Sequence, residues 1–339
     1  MKKKIIALAV VAAFSAPAFA DNANVSVYGK AFLTFDQKSS NATGAVSHMR
    51  VNTNASRFGI KGSEDLGGGL KAAYQYEVQM DADGSGAAGT AGFGNGTRNS
   101  GVGIESEFGK VMLGIWDTPF KTAHNKIELF DNTTSWTSTL VIGRSAGKNF
   151  NTRQANMVQY WSPKFSDVQV AVLYSPDEAK TATVNKSILS MSATYDLENI
   201  YASAAYESRN DVFTATTDSA MRLVGKYTLA DFSLGAMIEN IKTNTSATAS
   251  VTGNNVEFVG GYKMGPHNIA ASYAKADSTA TGTNASNDVS QLSLKYAYNF
   301  SKRTEVFAAY ASNKTNAGTV TVPTSVTLSY VGGGIVHSF

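Results

Sequence analysis

Apolar and polar residues alternate with a period of two along most of the chain. Between residues 291 and 300 every even position is apolar or aromatic, and every odd position is polar or alanine. Residues 70–77 repeat the alternation, with Lys71 and Glu77 on the polar side. Because successive side chains of a β-strand point to opposite faces, this period predicts strands with one apolar face and one polar face.

The connections between these strands alternate in length. Short connections lie at residues 64–68, 107–109, 162–166, 196–198 and 301–302, and long polar ones include residues 81–96, 240–254 and 276–288. Tight turns at one end and long loops at the other are typical of a membrane-spanning barrel, and about sixteen strands enclose a water-filled lumen. The sequence therefore predicts an all-β, transmembrane antiparallel barrel. We expect its strands at residues 24–36, 52–63, 69–80, 97–107, 110–117, 152–161, 167–176, 186–195, 199–208, 218–228, 231–241, 255–263, 267–276, 289–299, 303–312 and 325–339.

The connection at residues 118–151 differs from the others in length and composition. It contains Trp136, an apolar run at residues 140–142 and charges of both signs. Loops this long within a compact domain are usually functional. If this loop folds into the lumen, its acids Glu128 and Asp131 face basic residues of the barrel wall across the pore.

The first twenty residues have the features of an export signal. Three lysines precede an apolar run at residues 5–14, and residues 18–20 fit the small-x-small rule for cleavage. We therefore expect a cleaved signal peptide at residues 1–20 and a barrel domain at residues 21–339. The apolar run is shorter than the ~18 residues that a helical membrane span needs, so we expect no helical anchor.

Charge and cysteine content exclude several classes of function. Without the signal, 29 − 3 = 26 basic residues stand against 26 acidic ones, so the exported chain is neutral. A neutral chain argues against nucleic acid as a partner, because such binding needs a net basic face. Cysteine is absent from the sequence, which rules out disulfides and thiol chemistry.

Two further patterns concern the ends of the strands. In the last strand, Leu328 and Tyr330 set a phase that Phe339 does not share, and the glycines at residues 332–334 predict a β-bulge that restores it. Aromatic residues also gather near strand ends, where the interfacial girdles of membrane barrels lie. The predicted girdle residues are Tyr160, Trp161, Phe165, Tyr195, Tyr201, Tyr227, Phe232, Tyr262 and Phe300.

Several motifs resemble those of the trimeric general porins of Gram-negative bacteria, of the β-proteobacterial and neisserial type. The most specific is residues 56–71, which resemble the second strand, turn and third strand of that family. Residues 27–29, 117–119, 160–163 and 301–304 and the terminal Phe339 fit the same pattern. The resemblance spans the whole exported chain.

This resemblance implies a sixteen-stranded barrel with short periplasmic turns, long external loops and the third loop folded into the lumen. It implies a homotrimer in the outer membrane, surrounded by lipid, through which small hydrophilic solutes and ions diffuse passively. It also implies that Phe339 is the assembly signal that the barrel-assembly machinery reads.

Charged residues in the polar phase of the strands must face water, since Lys or Arg on the lipid face costs roughly 2–4 kcal/mol at the membrane midplane. Eight bases and five acids occupy that phase, and the long loop adds four bases and two acids. The bases are Lys30, Arg57, Lys61, Lys71, Arg153, Arg222, Lys226 and Lys295, and the acids are Asp36, Glu77, Glu207, Glu239 and Glu257.

From these we predict a pore constriction and a weak anion preference. Selectivity depends on the potential at the narrowest point, where low-dielectric walls focus the field. The preference is expected to be weak because Ile115 and Gln159 stand where the related family often has arginine. We expect the constriction to contain Arg57, Lys71, Arg153, Lys30, Glu128 and Asp131.

Two other functions are compatible with a barrel of this kind. A barrel adhesin would act through its external loops. A substrate-specific channel would need aromatic residues along the inner wall, where the strand phases place only Tyr28, Phe32 and Tyr201.

Enzymatic activity, metals and cofactors are not expected. The four histidines, at positions 48, 124, 267 and 337, have no recognisable catalytic partner motif. Residues 81–86 resemble the start of a calcium loop, but its twelfth position is Gly92 instead of the glutamate that such a loop requires.

Overall fold

The computed structural model describes residues 24–84, 93–131, 133–210, 216–280, 288–319 and 322–339. The predicted export signal at residues 1–20 lies outside the described residues. Across the described ranges, no helix is long and apolar enough to cross a membrane.

Within these residues eighteen antiparallel strands form one sheet, and two short strands form a separate hairpin. In chain order they are β1 (Asn24–Ser40), β2 (His48–Thr53), β3 (Arg57–Gly67), β4 (Leu70–Met80), β5 (Phe93–Thr97), β6 (Ser100–Ser106), β7 (Gly109–Asp117), β8 (Arg144–Ser145), β9 (Lys148–Asn149), β10 (Arg153–Trp161), β11 (Val168–Ser175), β12 (Ile188–Asp196), β13 (Ile200–Asn210), β14 (Thr217–Leu229), β15 (Phe232–Asn244), β16 (Ser250–Met264), β17 (His267–Ala280), β18 (Asp288–Asn299), β19 (Thr304–Thr319) and β20 (Val322–Ser338).

The sheet closes into a barrel because β1 pairs with β20, the last strand. Two wall strands are each interrupted once. β2 and β3 both pair with β1, on either side of a bend where Ala55 has a φ of 49°, and β5 and β6 both pair with β4. Counting each interrupted strand once gives 18 − 2 = 16 wall strands, which confirms the predicted barrel.

The period-two pattern is realised as an apolar outside and a polar inside. In β18, Leu292 and Leu294 are 43% and 46% exposed on the outer face, whereas Gln291 and Ser293 are 1% and 0% exposed on the inner face. An outer surface of exposed leucine, valine and aromatic side chains is suited to lipid and not to water.

The long connections are shorter than predicted at the long-loop end of the barrel. β15 continues to Asn244 and β16 begins at Ser250, so only residues 245–249 connect them instead of 240–254. β17 likewise extends to Ala280. Above the membrane both faces of a strand meet water, so the alternation disappears although the hydrogen-bonded ladder continues.

The predicted bulge in the last strand is wrong. β20 pairs with β1 and β19 without a register shift. Leu328 and Tyr330 face the lumen, where Tyr330 is buried against Trp136, so they do not belong to the lipid-facing phase. Val331, Ile335 and Phe339 are exposed on the outer face and define a single uninterrupted phase.

Candidate pore constriction

Residues 118–152, here called the lumen loop, connect β7 to β10 and fold into the barrel. The loop begins with the short helix α1 (Pro119–Thr122), whose cap residue Thr118 accepts a hydrogen bond from the Lys121 amide at 3.2 Å. A 3-10 turn at Ser138–Leu140 and the β8–β9 hairpin follow. The predicted inward fold of this loop is confirmed.

One apolar contact fixes the middle of the lumen loop to the wall. Trp136 is 1% exposed and packs in a cluster with Phe32, Phe307 and Tyr330. Its ring lies edge-on to Phe307 at 5.6 Å between centroids, and its indole nitrogen donates to the Tyr330 carbonyl at 3.3 Å. The Trp136 side chain, which sets this loop apart in the sequence, therefore anchors the loop to the barrel wall.

Two more apolar clusters hold the rest of the loop, one at its two ends and one between them. Near its start and end, Phe120 and Phe150 are fully buried against Ala205, Ala220 and Ile241. Between them, the loop residues Ile127, Val141 and Ile142 pack against wall residues Tyr201, Val224, Met237, Val259, Ala274 and Ala276. The loop is thus held along its length and does not hang free in the lumen.

Buried charges of the wall reinforce these contacts. Arg222 is 0% exposed, forms an ion pair with Glu239 and donates to the Phe120 carbonyl at 3.0 Å. Glu239 also accepts a hydrogen bond from the Gly143 amide at 2.7 Å. Arg209 donates to the Asn149 carbonyl at 2.8 Å.

The expectation that all polar-phase charges face water is therefore wrong for the wall beneath the loop. Arg222, Glu207, Glu239 and Glu257 are buried there. Burying an ion costs several kcal/mol unless it is paired and hydrogen-bonded. Arg222, Glu239 and Glu257 meet that condition through contacts with the loop, whereas Glu207 pairs with Arg209 of its own strand.

His124 also has a partner that the sequence did not reveal. Its Nε2 lies 2.5 Å from Glu257 Oε2, and both side chains are buried. Because 133 residues separate the two, no local motif could indicate the pair. It ties the loop to β16.

A water-accessible cavity of about 580 Å³ remains between the lumen loop and the opposite wall. Four of the six predicted site residues line it together: Arg57 and Arg153 from the wall, and Glu128 and Asp131 from the loop. The described residues that line it are Arg57, Glu77, Arg98, Asn99, Asp117, Lys121, His124, Asn125, Glu128, Asp131, Thr133, Thr139, Arg144, Asn149, Asn151 and Arg153.

The other two predicted residues lie elsewhere. Lys30 forms an ion pair with Asp131 and lines a neighbouring cavity of about 250 Å³. Lys71 lies at the short-turn end, in register with Asp65 and Glu105, and does not line the described cavity. The phase of Lys71 gives the face on which it lies but not its depth along the barrel axis.

Several lining residues escaped the sequence prediction. Arg98 Nε lies 2.5 Å from Glu77, which also lies 3.7 Å from Arg57. Asp117 pairs with Lys121 at 2.7 Å and with Arg153 at 3.2 Å. Arg98 follows β5, where the wall strand is interrupted. There the alternation of apolar and polar residues does not show which way a side chain points.

Among the described residues, the lining includes five bases, Arg57, Arg98, Lys121, Arg144 and Arg153, and four acids, Glu77, Asp117, Glu128 and Asp131. The pKa of Glu128 is raised above its ordinary value, mainly because burial disfavours the charged form. Hydrogen bonds from the Phe130 amide at 2.8 Å and the Thr137 hydroxyl at 2.6 Å act in the opposite direction and lower the pKa.

In the described part of the chain, no group of three or more His, Asp or Glu could hold a metal ion.

A closed barrel with an apolar outside, a polar inside and a charge-lined cavity beside an inserted loop defines a transmembrane β-barrel channel. The family model for Gram-negative porins matches residues 7–318, and the chain belongs to that family.

Individual relatives agree with this assignment. Outer membrane porin protein 32 of Delftia acidovorans is 27% identical over 332 residues, which cover 93% of this chain and 90% of that protein. The major outer membrane protein P.IB of Neisseria lactamica is 26% identical over 358 residues, covering 100% of both chains. The structure of an anion-selective porin from Comamonas acidovorans superposes with a TM-score of 0.78 at 25% identity, covering 94% of this chain and 100% of that one.

The protein is therefore an outer-membrane porin, a channel for passive diffusion of small hydrophilic solutes and ions. The short-turn end of the barrel corresponds to the periplasmic side, and the long-loop end to the cell exterior.

Proposed function

We propose that the cavity beside the lumen loop is the constriction of this porin and that it prefers anions weakly. The observation that carries the proposal is the fixed position of the loop. It leaves a charge-lined passage of about 580 Å³ between Glu128 and Asp131 on one side and Arg57 and Arg153 on the other. A constriction sets selectivity because its low-dielectric walls focus the field on passing ions.

The sign of the preference follows from the charges that line this passage. Five bases against four acids leave a net charge of 5 − 4 = +1. Because the pKa of Glu128 is raised, this carboxylate is protonated earlier than an ordinary glutamate as the pH falls, and the lining then loses one negative charge. The strand count of eight bases against five acids is a weaker argument, because buried pairs such as Arg222 with Glu239 neutralise each other beneath the loop. The anion-selective relative supports the same sign.

Reversal potentials of the refolded channel in a planar bilayer, across a salt gradient, test this proposal. We expect an anion preference that declines as salt rises, because the Debye length falls from about 30 Å at 0.01 M to about 8 Å at 0.15 M. A cation preference at low salt contradicts it.

We further propose that the barrel assembles as a homotrimer, with outer-membrane lipid around its remaining outer surface. The outer face near the chain ends carries exposed apolar side chains, including Val27, Val331 and Ile335, beside the small exposed residue Ala31. Small side chains allow neighbouring barrels to approach closely.

Phe339 is proposed as the signal for the barrel-assembly machinery. It is 48% exposed on the outer face, and the aromatic ring lies over Gly29, where an added Cβ would be 2.2 Å from it. Its amide donates to the Gly29 carbonyl at 3.1 Å, so the residue sits at the seam where β1 and β20 close the barrel. We propose no enzymatic activity, since His124 of the loop pairs with Glu257 of β16 and the pair serves as an anchor.

A further inference from the structure

A second recess opens into the lumen on the periplasmic side of the constriction. It has a volume of about 440 Å³ and lies between β6, β7, β10 and β11, lined by Glu105, Lys110, Trp116, Trp161 and Gln169 among others. Trp116 directly precedes Asp117, which lines the constriction. A solute that leaves the constriction toward the periplasm therefore reaches this recess.

Two tryptophans form its apolar part, contrary to the expectation from the sequence. Trp161 was predicted to lie in the outer girdle, but it faces inward with Trp116, and both pack against the buried residues Met112, Met157 and Leu173. The two rings meet edge to face with 5.8 Å between centroids and an angle of 75°. Both indoles are only half-buried, so parts of their surfaces meet the water of the lumen.

A cation completes the recess. Lys110 lies in register between Trp161 on β10 and Glu105 on β6, and its ammonium is 6.0 Å from the centroid of the Trp161 ring. Among the described residues Lys110 forms no ion pair, so its ammonium remains available to a solute anion. Cations of the constriction such as Lys121, by contrast, are already paired with carboxylates.

We propose that this recess binds small aromatic carboxylates during their passage. Offset or edge-to-face contacts between aromatic rings are worth more than area burial alone, and the crossed indoles offer both an edge and a face to a planar ring. The carboxylate of such a solute would pair with Lys110, while its ring contacts Trp161 and Trp116. A neutral sugar could stack on the indoles but would leave the ammonium without a counter-charge.

Binding to the refolded porin in detergent tests this proposal through quenching of tryptophan fluorescence. The probe is benzoate. Cyclohexanecarboxylate has the same charge without the π-system, and methyl β-glucoside is the neutral stacking solute. We expect saturable quenching by benzoate and weaker binding of both other solutes. No saturable quenching by benzoate, or equal affinity for methyl β-glucoside, overturns the proposal.

Substitutions in the recess test whether benzoate binds there. Trp161→Leu is expected to raise the Kd for benzoate by up to about tenfold, since one aromatic contact is lost. Lys110→Gln is expected to raise it about two- to fivefold, because an ion pair in water contributes little. Lys263→Gln is the matched control, a lysine on β16 at the same end of the barrel but outside the recess, and should leave the Kd unchanged.

Quenching can be localised because the chain has three tryptophans. In the double variant Trp116→Leu, Trp161→Leu, only the loop anchor Trp136 remains, and its emission should not respond to benzoate. An unchanged Kd in Trp161→Leu, or a response of Trp136 alone, contradicts the site. If Trp161→Leu does not refold, Trp116→Leu serves the same purpose. The assay needs no current, so its failure is distinct from failure of the proposed selectivity.

Discussion

Replacing Glu128 with glutamine isolates the electrostatic part of the proposed mechanism. The amide keeps the size of the carboxyl group. Its oxygen can accept from the Phe130 amide, and its NH2 group can donate to the Thr137 hydroxyl, which reverses that second hydrogen bond. The substitution removes one of the four acids that line the cavity, which changes the net charge from +1 to +2. We expect the anion preference to increase.

The magnitude follows from Coulomb's law in the water-filled pore. One unit charge at about 8 Å from an ion is worth roughly 0.5 kcal/mol in water before screening. At 0.15 M salt, where the Debye length is also about 8 Å, screening leaves roughly 0.2 kcal/mol. Anions gain and cations lose that amount, so the permeability ratio should change about twofold, and about fourfold at 0.01 M salt.

Reversal potentials at both salt concentrations measure this ratio. Glu107→Gln, on an exposed periplasmic turn, is the matched control and should leave the ratio unchanged. Because the pKa of Glu128 is raised, its charge is lost at a higher pH than for an ordinary glutamate. The wild-type ratio should therefore rise toward that of Glu128→Gln as the pH falls. An unchanged ratio in Glu128→Gln at 0.01 M salt refutes the assigned role.

Three further predictions concern the loop, the seam and the assembly. Trp136→Ala should cost about 3–5 kcal/mol of local packing and loosen the loop, so that larger sugars enter proteoliposomes faster in swelling assays; an unchanged size limit contradicts the anchor. Deleting Phe339 should lower the amount of porin in outer-membrane fractions while the surviving channels keep their conductance, and normal amounts count against an assembly role. Light scattering in mild detergent should give the mass of three barrels, and a monomer as the only species refutes the trimer.

The barrel was predictable from the sequence because its strands must present one face to lipid and the other to water. Within the membrane this constraint fixes the orientation of each residue, and Leu292 and Gln291 lie on the predicted faces. Outside the membrane the constraint ends, which explains why β15 and β16 extend beyond their predicted ends.

The site was predictable only in part, because alternation gives the face of a residue but neither its depth nor what covers it. Arg57 and Arg153 reach the cavity, whereas Lys71, in the same phase, lies at the periplasmic end. Arg222 faces inward as predicted but is buried by a loop whose contacts are distant in sequence. Trp161 was assigned to the outer girdle from its position near a strand end, although its phase places it inside.

Removing the lumen loop tests the central claim most directly. Asp117 and Arg153 pair in register, so a short glycine-serine turn can replace residues 119–151 without displacing β7 or β10. Shortening the external loop at residues 245–249 provides the control, because that loop connects β15 to β16 outside the cavity. If the loop sets the constriction, its removal raises the single-channel conductance and admits larger solutes, and the control variant does neither. A loop-deleted barrel that refolds with unchanged conductance and an unchanged size limit contradicts the account.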